Sequence, residues 1–127
     1  MNSKQLGDWG EKIAEDYLKN KRYRILDKNY VFRIRGGPPK GEIDIVAEKD
    51  KIVSFIEVKT LISNKIISPE AEVEFSKKKK TIKAAQFWLM KNKLPLDAKW
   101  QIDVIAIEIN SQNKKAKIRH LENAIIS

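Results

Sequence analysis

Two neighbouring stretches limit the fold most: Gly41-Glu42-Ile43-Asp44-Ile45-Val46-Ala47 and Ile52-Val53-Ser54-Phe55-Ile56-Glu57-Val58-Lys59. In both, apolar and polar residues alternate over part of the length, as in strands with one buried face. The intervening Glu48-Lys49-Asp50-Lys51 supplies a turn. With Asp50 and Lys51 as a two-residue loop, Asp44 falls opposite Glu57 and Glu42 opposite Lys59. Ile43, Ile45, Ile56 and Val58 then point to the other side. A slip of one residue would turn one strand's apolar set the wrong way, whereas a slip of two keeps the charged set together. The pattern predicts a β-hairpin with three carboxylates and one lysine on one face.

Like charges on neighbouring strands destabilise a sheet. A divalent cation would remove that cost. Mg²⁺ takes hard oxygen ligands, commonly one or two carboxylates completed by water and substrate phosphate. A lysine beside it can hold a phosphate oxygen or the attacking water. The spacing Asp-(x)12-Glu-x-Lys therefore fits metal-assisted phosphodiester hydrolysis. The ordinary alternative is a solvated hairpin face with Glu57 and Lys59 exposed.

A chain of 127 residues is long enough for one domain, 1–127, with a real core. It has no cysteine, which removes disulfides and thiolate metal sites and points to the cytoplasm. No apolar run approaches the ~20 residues that span a bilayer, so no membrane association is expected. Its first residues lack a signal-peptide core. The net charge of +9 favours a polyanionic partner, chiefly nucleic acid.

Apolar residues at helical spacing predict a helix over 4–20, with Ser3 as its N-cap. Glu11 lies at the edge of that stripe and either reaches toward Asp44 and Glu57 or faces water. Residues 22–34 read as a strand with a bend near Asp27-Lys28-Asn29. The glycine- and proline-rich 35–41 reads as a loop. Residues 61–69 look irregular, and a second helix is expected from about Glu70 or Ser76 to Asn92. Trp100–Ile109 reads as a central strand, 110–114 as a turn and Lys117–Leu121 as a last strand. This order of elements predicts an α+β or α/β domain with helices packed on a mixed sheet.

Lys77, Lys78, Lys79 and Lys80, with Lys83 nearby, form a basic block at a helix start. Lysines there oppose the helix dipole, so phosphate contact is a reason for them, and a solvated face is the alternative. Arg33 and Arg35 are placed to contact phosphates or simply to be exposed. His120, the only histidine, reads as structural. Asp103, inside an apolar strand, is expected to be buried beside a partner such as an arginine. The three tryptophans fit core positions.

Taken together, these residues resemble the YraN-like family of small prokaryotic proteins. The resemblance rests on Gly10-Glu11, on 41–47 and 55–59 of the hairpin, and on the later 100–106 and 118–124. It spans nearly the whole chain. That family belongs with the restriction-endonuclease-like, PD-(D/E)xK nucleases and resembles archaeal Holliday junction resolvases. The resemblance implies a mixed four- to five-stranded sheet flanked by helices. It also implies metal ligation by Asp44 and Glu57, a catalytic Lys59, and Glu11 completing the metal site. Lys78 looks like the basic residue of the family's second helix. Ile43 replaces the proline of the motif's name, as is common. Leu61 stands where relatives often carry an arginine, so that phosphate or substrate contact does not carry over.

The expectation is a Mg²⁺- or Mn²⁺-dependent endonuclease acting on nucleic acid, with DNA favoured by analogy. The Val58 backbone carbonyl is a further candidate ligand, and both a monomer and a homodimer remain open. The competing expectation is a non-catalytic nucleic-acid-binding module that keeps the fold. A third is a structural or protein-interaction domain, which would show no metal affinity.

Overall fold

The computed structural model describes residues 2–63, 75–95 and 97–124. Helix α1 (Ser3–Asn20) is followed by strands β1 (Arg24–Arg33), β2 (Pro39–Lys49) and β3 (Ile52–Ser63), helix α2 (Phe75–Lys91), and strands β4 (Trp100–Asn110) and β5 (Ala116–Leu121). The strands form one mixed sheet in the order β1-β2-β3-β4-β5. Among the described residues only β3 and β4 run parallel, joined through α2; the other neighbours are antiparallel. The α+β expectation is met.

Each helix buries its apolar side on one face of the sheet. Ala14 and Leu18 of α1 pack with Ile45, Ile56, Ile105 and Ile107. Ala84, Ala85, Trp88 and Leu89 of α2 pack on the opposite face with Val46, Phe55 and Ile102. Phe55 is edge-on to Trp88 and Trp100, with ring centroids 5.6 and 5.8 Å away. Burial of a side chain such as Phe55 contributes roughly 1.5–3 kcal/mol.

The hairpin turn is as predicted. Asp50 and Lys51 both have positive φ, 52° and 65°, and Lys49 pairs with Ile52. Such two-residue turns match the twist of the flanking strands and so fix the register. The ladder nevertheless stops at Ile45↔Ile56, before Asp44 and Glu57. The facing is also not uniform. Ile45 joins the core under α1, while Ile43, two residues away, joins the core under α2. On the neighbouring strand the paired positions skip from Lys28↔Ile45 to Tyr30↔Ile43, and Asn29 between them has φ 54°. The strand thus turns over at Asp44, opposite a left-handed residue. This corrects the expectation that Ile43 shares a face with Ile45, and that Glu42 pairs with Lys59.

Further boundaries differ. Asn2, not Ser3, caps α1: its side chain accepts from the Gln5 amide at 2.8 Å, and the Gln5 side chain accepts from the Asn2 amide at 3.0 Å. This reciprocal pair satisfies two amides and so sets the helix start. Leu61, Ile62 and Ser63 are strand, because β4 is long enough to pair them with Glu108, Ile109 and Asn110. The remainder of the stretch expected to be irregular, 64–69, lies outside the described residues. Helix α2, Phe75–Lys91, agrees with the expected span from about Ser76 to Asn92. No helix among the described residues is long and apolar enough to cross a membrane.

Candidate functional site

Two glycines bring the helices onto the strands that carry the charged residues. A Cβ at Gly10 of α1 would overlap the Thr60 hydroxyl of β3. One at Gly41 of β2 would lie 2.5 Å from the Lys80 carbonyl oxygen of α2. The first contact sets Glu11 beside the sheet; the second sets Lys80 and Thr81 over it.

Where the β2–β3 ladder stops, a cavity of about 400 Å³ opens. Glu42, Asp44, Glu57, Val58, Lys59 and Lys80 contribute to its wall. Asp44 Oδ2 accepts the Val58 amide at 2.7 Å. A side-chain carboxylate thus takes a backbone donor at the point where the ladder ends. Lys59 Nζ lies 4.0 Å from Glu57 Oε1, and both side chains are largely buried. Glu57 and Lys59 alternate with Ile56 and Val58, which pack under α1, so they face the α2 side.

Glu11 reaches Asp44 from the other side. It lines a smaller cavity, about 200 Å³, with Asp44, Asp8, Lys28 and Asn29. Asp44 borders both cavities because the strand turns over at that residue. Burial raises the Glu11 carboxyl above its ordinary range, Asp44 and Asp8 raise it further, and Lys28 partly opposes them. Glu11, Asp44 and Glu57 do not bring three ligand atoms within 4.8 Å of one another; among the described residues only Asp103, His120 and Glu122 do so.

The donors of the acidic cavity suit a hard cation. They are carboxylate oxygens with room for water beside them. Their spread matches an ion held by one or two carboxylates plus waters rather than by an all-protein cage.

The expected basic residues divide. Lys80 lines the acidic cavity, Lys79 and Lys83 are exposed, and the side chains of Lys77 and Lys78 lie outside the described residues. Neither arginine lines that cavity. Arg33 donates to the Gly37 carbonyl at 3.0 Å, steadying its turn, and Arg35 sits in that turn with φ 50°.

The second cluster was not anticipated as a unit. Asp103 is 0% exposed, and its partner is His120 rather than an arginine. His120 Nε2 lies 2.8 Å from Asp103 Oδ2, and its Nδ1 lies 3.2 Å from the Tyr17 hydroxyl. Gln101 Nε2 and the Asn123 amide both donate to Asp103 Oδ1 at 2.9 Å. Tyr23 donates to Glu122 at 3.3 Å. The Asp–His–Tyr chain has the connectivity of an activated nucleophile, but its electrostatics oppose that role. Burial, then Glu122 and Asp103, raise the Tyr17 hydroxyl, and burial with the same neighbours pushes Tyr23 up to about 12. The potential ligand atoms already bond within the network. It therefore serves as a clasp fastening α1 to β4 and β5, in keeping with a structural His120. Asp103 in an apolar strand was the sequence signal; the partner's identity came only from β4–β5 pairing, which sets His120 beside Ile105.

Comparison with known proteins supplies the kinship. Residues 10–107 match the model of the uncharacterised protein family UPF0102. A UPF0102 protein of Geobacter metallireducens is 42% identical over 124 residues, covering 98% of this chain and 94% of its own. One from Alkaliphilus oremlandii is 39% identical over 122 residues, covering 96% and 98%. One from Clostridioides difficile is 38% identical over 124 residues, covering 98% and 99%. The chain belongs to the UPF0102 family.

Proposed function

We propose that this protein is a Mg²⁺- or Mn²⁺-dependent nuclease of the PD-(D/E)xK type, hydrolysing phosphodiester bonds in nucleic acid, with DNA as the substrate. The observation that carries the reading is the meeting of Asp44, Glu57 and Lys59 on one cavity at the end of the β2–β3 ladder. Asp44 and Glu57 would hold the cation together with water, with the Val58 carbonyl as a further ligand, and Glu11 would act from the adjoining cavity through Asp44. When bound, the ion supplies Lewis acidity to phosphoryl oxygens and makes water more acidic.

Hydrolysis adds the oxygen of one water to phosphorus and breaks one phosphorus–oxygen ester bond. The proton lost by the water ends on the departing oxygen. Lys59, held near Glu57, orients or helps deprotonate the attacking water and offsets negative charge as it builds. Lys80 and its neighbours on α2 hold the phosphate backbone.

The wide spacing of the three carboxylates supports a second reading, a nucleic-acid-binding module without catalysis. Purified protein incubated with linear, flapped and four-way DNA, with Mg²⁺, Mn²⁺ or a chelator, separates the two. Cleavage that requires the metal is the expected result. Binding without cleavage of any substrate would favour the module.

A further inference from the structure

Three of the five large hydrophobic side chains exposed among the described residues gather along one edge: Val31, Phe87 and Met90. A groove of about 530 Å³ lies there between β1 and α2, with Val31, Phe32, Arg33, Phe87, Met90 and Lys91 in its wall. Phe87 stacks on Phe32 at 4.1 Å between ring centroids, yet stays 39% exposed. The charged residues of the wall, Arg33 and Lys91, are both cationic, and among the described residues no aspartate or glutamate contributes to it.

This groove adjoins the acidic cavity. Phe32 of the groove pairs directly with Gly41 of the cavity, one strand spacing away, ~4.8 Å. Along α2, Lys80, Lys83, Phe87, Met90 and Lys91 follow one flank of the helix, by their three- and four-residue spacing. Lys80 borders the cavity and Met90 the groove. The ten residue steps from one to the other rise ~15 Å, the length of about four stacked nucleotides.

We propose that this groove binds an unpaired stretch of the nucleic-acid strand whose neighbouring phosphate occupies the acidic cavity. Its bases lie on Phe87 and Met90, and its phosphates meet Arg33, Lys83 and Lys91. The inference rests on the nucleic-acid reading above and names the substrate class more closely, as a duplex with a single-stranded branch or tail. Exposed aromatic rings beside cations are what unpaired bases require, because every base offers a face for stacking. A second copy of this chain fits less well, since it would bring the same cationic rim and a net charge of +9.

The test is equilibrium binding, in a chelator that prevents cleavage, to a blunt duplex and to the same duplex with a tail of about five unpaired nucleotides. Wild type should prefer the tailed duplex by about fivefold or more, the scale of one stacked base. Phe87→Leu should lose that preference and Phe87→Tyr should keep it, with affinity for the blunt duplex unchanged in both. Thermal unfolding verifies that the variants fold. Equal wild-type affinity for tailed and blunt DNA, with salt-sensitive binding to both, overturns the groove assignment alone. Retention of the preference in Phe87→Leu does the same. Absence of binding to either DNA overturns the nucleic-acid reading as well. A wild-type dimer that Met90→Lys dissociates would assign the groove to a second copy instead.

Discussion

Substituting Asp44 by alanine or by asparagine separates two roles of one carboxylate. Its Oδ2 accepts the Val58 amide at 2.7 Å, beyond the last backbone pair between β2 and β3. Asparagine keeps an acceptor oxygen of the same reach; alanine removes it. A hydrogen bond to a charged group contributes ~1.5–3 kcal/mol, and a half-buried donor that loses its acceptor costs on the order of 1–3 kcal/mol. Both variants relieve the repulsion that helps raise Glu11, so that effect cancels when they are compared. Asp44→Ala should therefore be less stable than Asp44→Asn by about 1–2 kcal/mol. At roughly 3–6 °C per kcal/mol for a chain of this length, the gap in Tm is about 3–12 °C. Mn²⁺ supplies the second comparison. A ligand at a hundred times its Kd stabilises the native state by ~2.7 kcal/mol. Wild type should show such a rise in calorimetry and both variants should not. Coincident melting of the two variants would refute the hydrogen-bond argument. An undiminished Mn²⁺ shift in Asp44→Asn would refute the assignment of the metal to this carboxylate.

Gly41→Ala forces a Cβ to within 2.5 Å of the Lys80 carbonyl oxygen, so it should destabilise by ~1–3 kcal/mol in denaturant titration and reduce any cleavage by displacing α2. Gly7→Ala, with none of the described residues within 4 Å of its Cβ, should instead stabilise α1 by up to ~1 kcal/mol. The raised Glu11 carboxyl gives a sign for pH: its contribution to stability is present below its unfolded value near 4.5 and is lost as pH rises through the higher folded value. Without metal, Glu11→Gln should thus melt above wild type at neutral pH and converge with it in acid; the opposite order would contradict the crowding of Glu11 by Asp44. Replacing Lys77, Lys78, Lys79 and Lys80 by alanine should weaken DNA binding and flatten its salt dependence, by about 0.9 in slope for each phosphate no longer neutralised, and an unchanged slope would make the block a solvated face.

The hairpin was legible because local chemistry determines it. A two-residue turn and alternating apolar residues leave one register, and Lys49↔Ile52 obeys it. The gathering of Asp44, Glu57 and Lys59 on one cavity follows directly. What the hairpin alone could not reveal depends on other strands. Asn29 of β1 faces the place where β2 turns over, so the change of face between Ile43 and Ile45 is set from outside the hairpin. The strand character of Leu61–Ser63 comes from the parallel partner β4, more than forty residues later. Asp103 was recognisable as a buried acid, but His120 reaches it only through β4–β5 pairing. The groove beside Phe87 stayed hidden because α2's exposed flank becomes a surface only against β1.

Single-turnover cleavage by Lys59→Ala, measured beside equilibrium DNA binding, tests the central claim most directly. Lys59 sits 4.0 Å from Glu57, inside the cavity that would hold the scissile phosphate. Removing it leaves Asp44 and Glu57 in place, so the cation should still bind. The account predicts that cleavage by the folded variant falls ~10²-fold or more, as for loss of a positioned acid–base or electrostatic group. DNA affinity should change far less, because one phosphate contact is a small part of the electrostatic attraction. Cleavage by Lys59→Ala at the wild-type rate, or no metal-dependent cleavage by wild type, would contradict it.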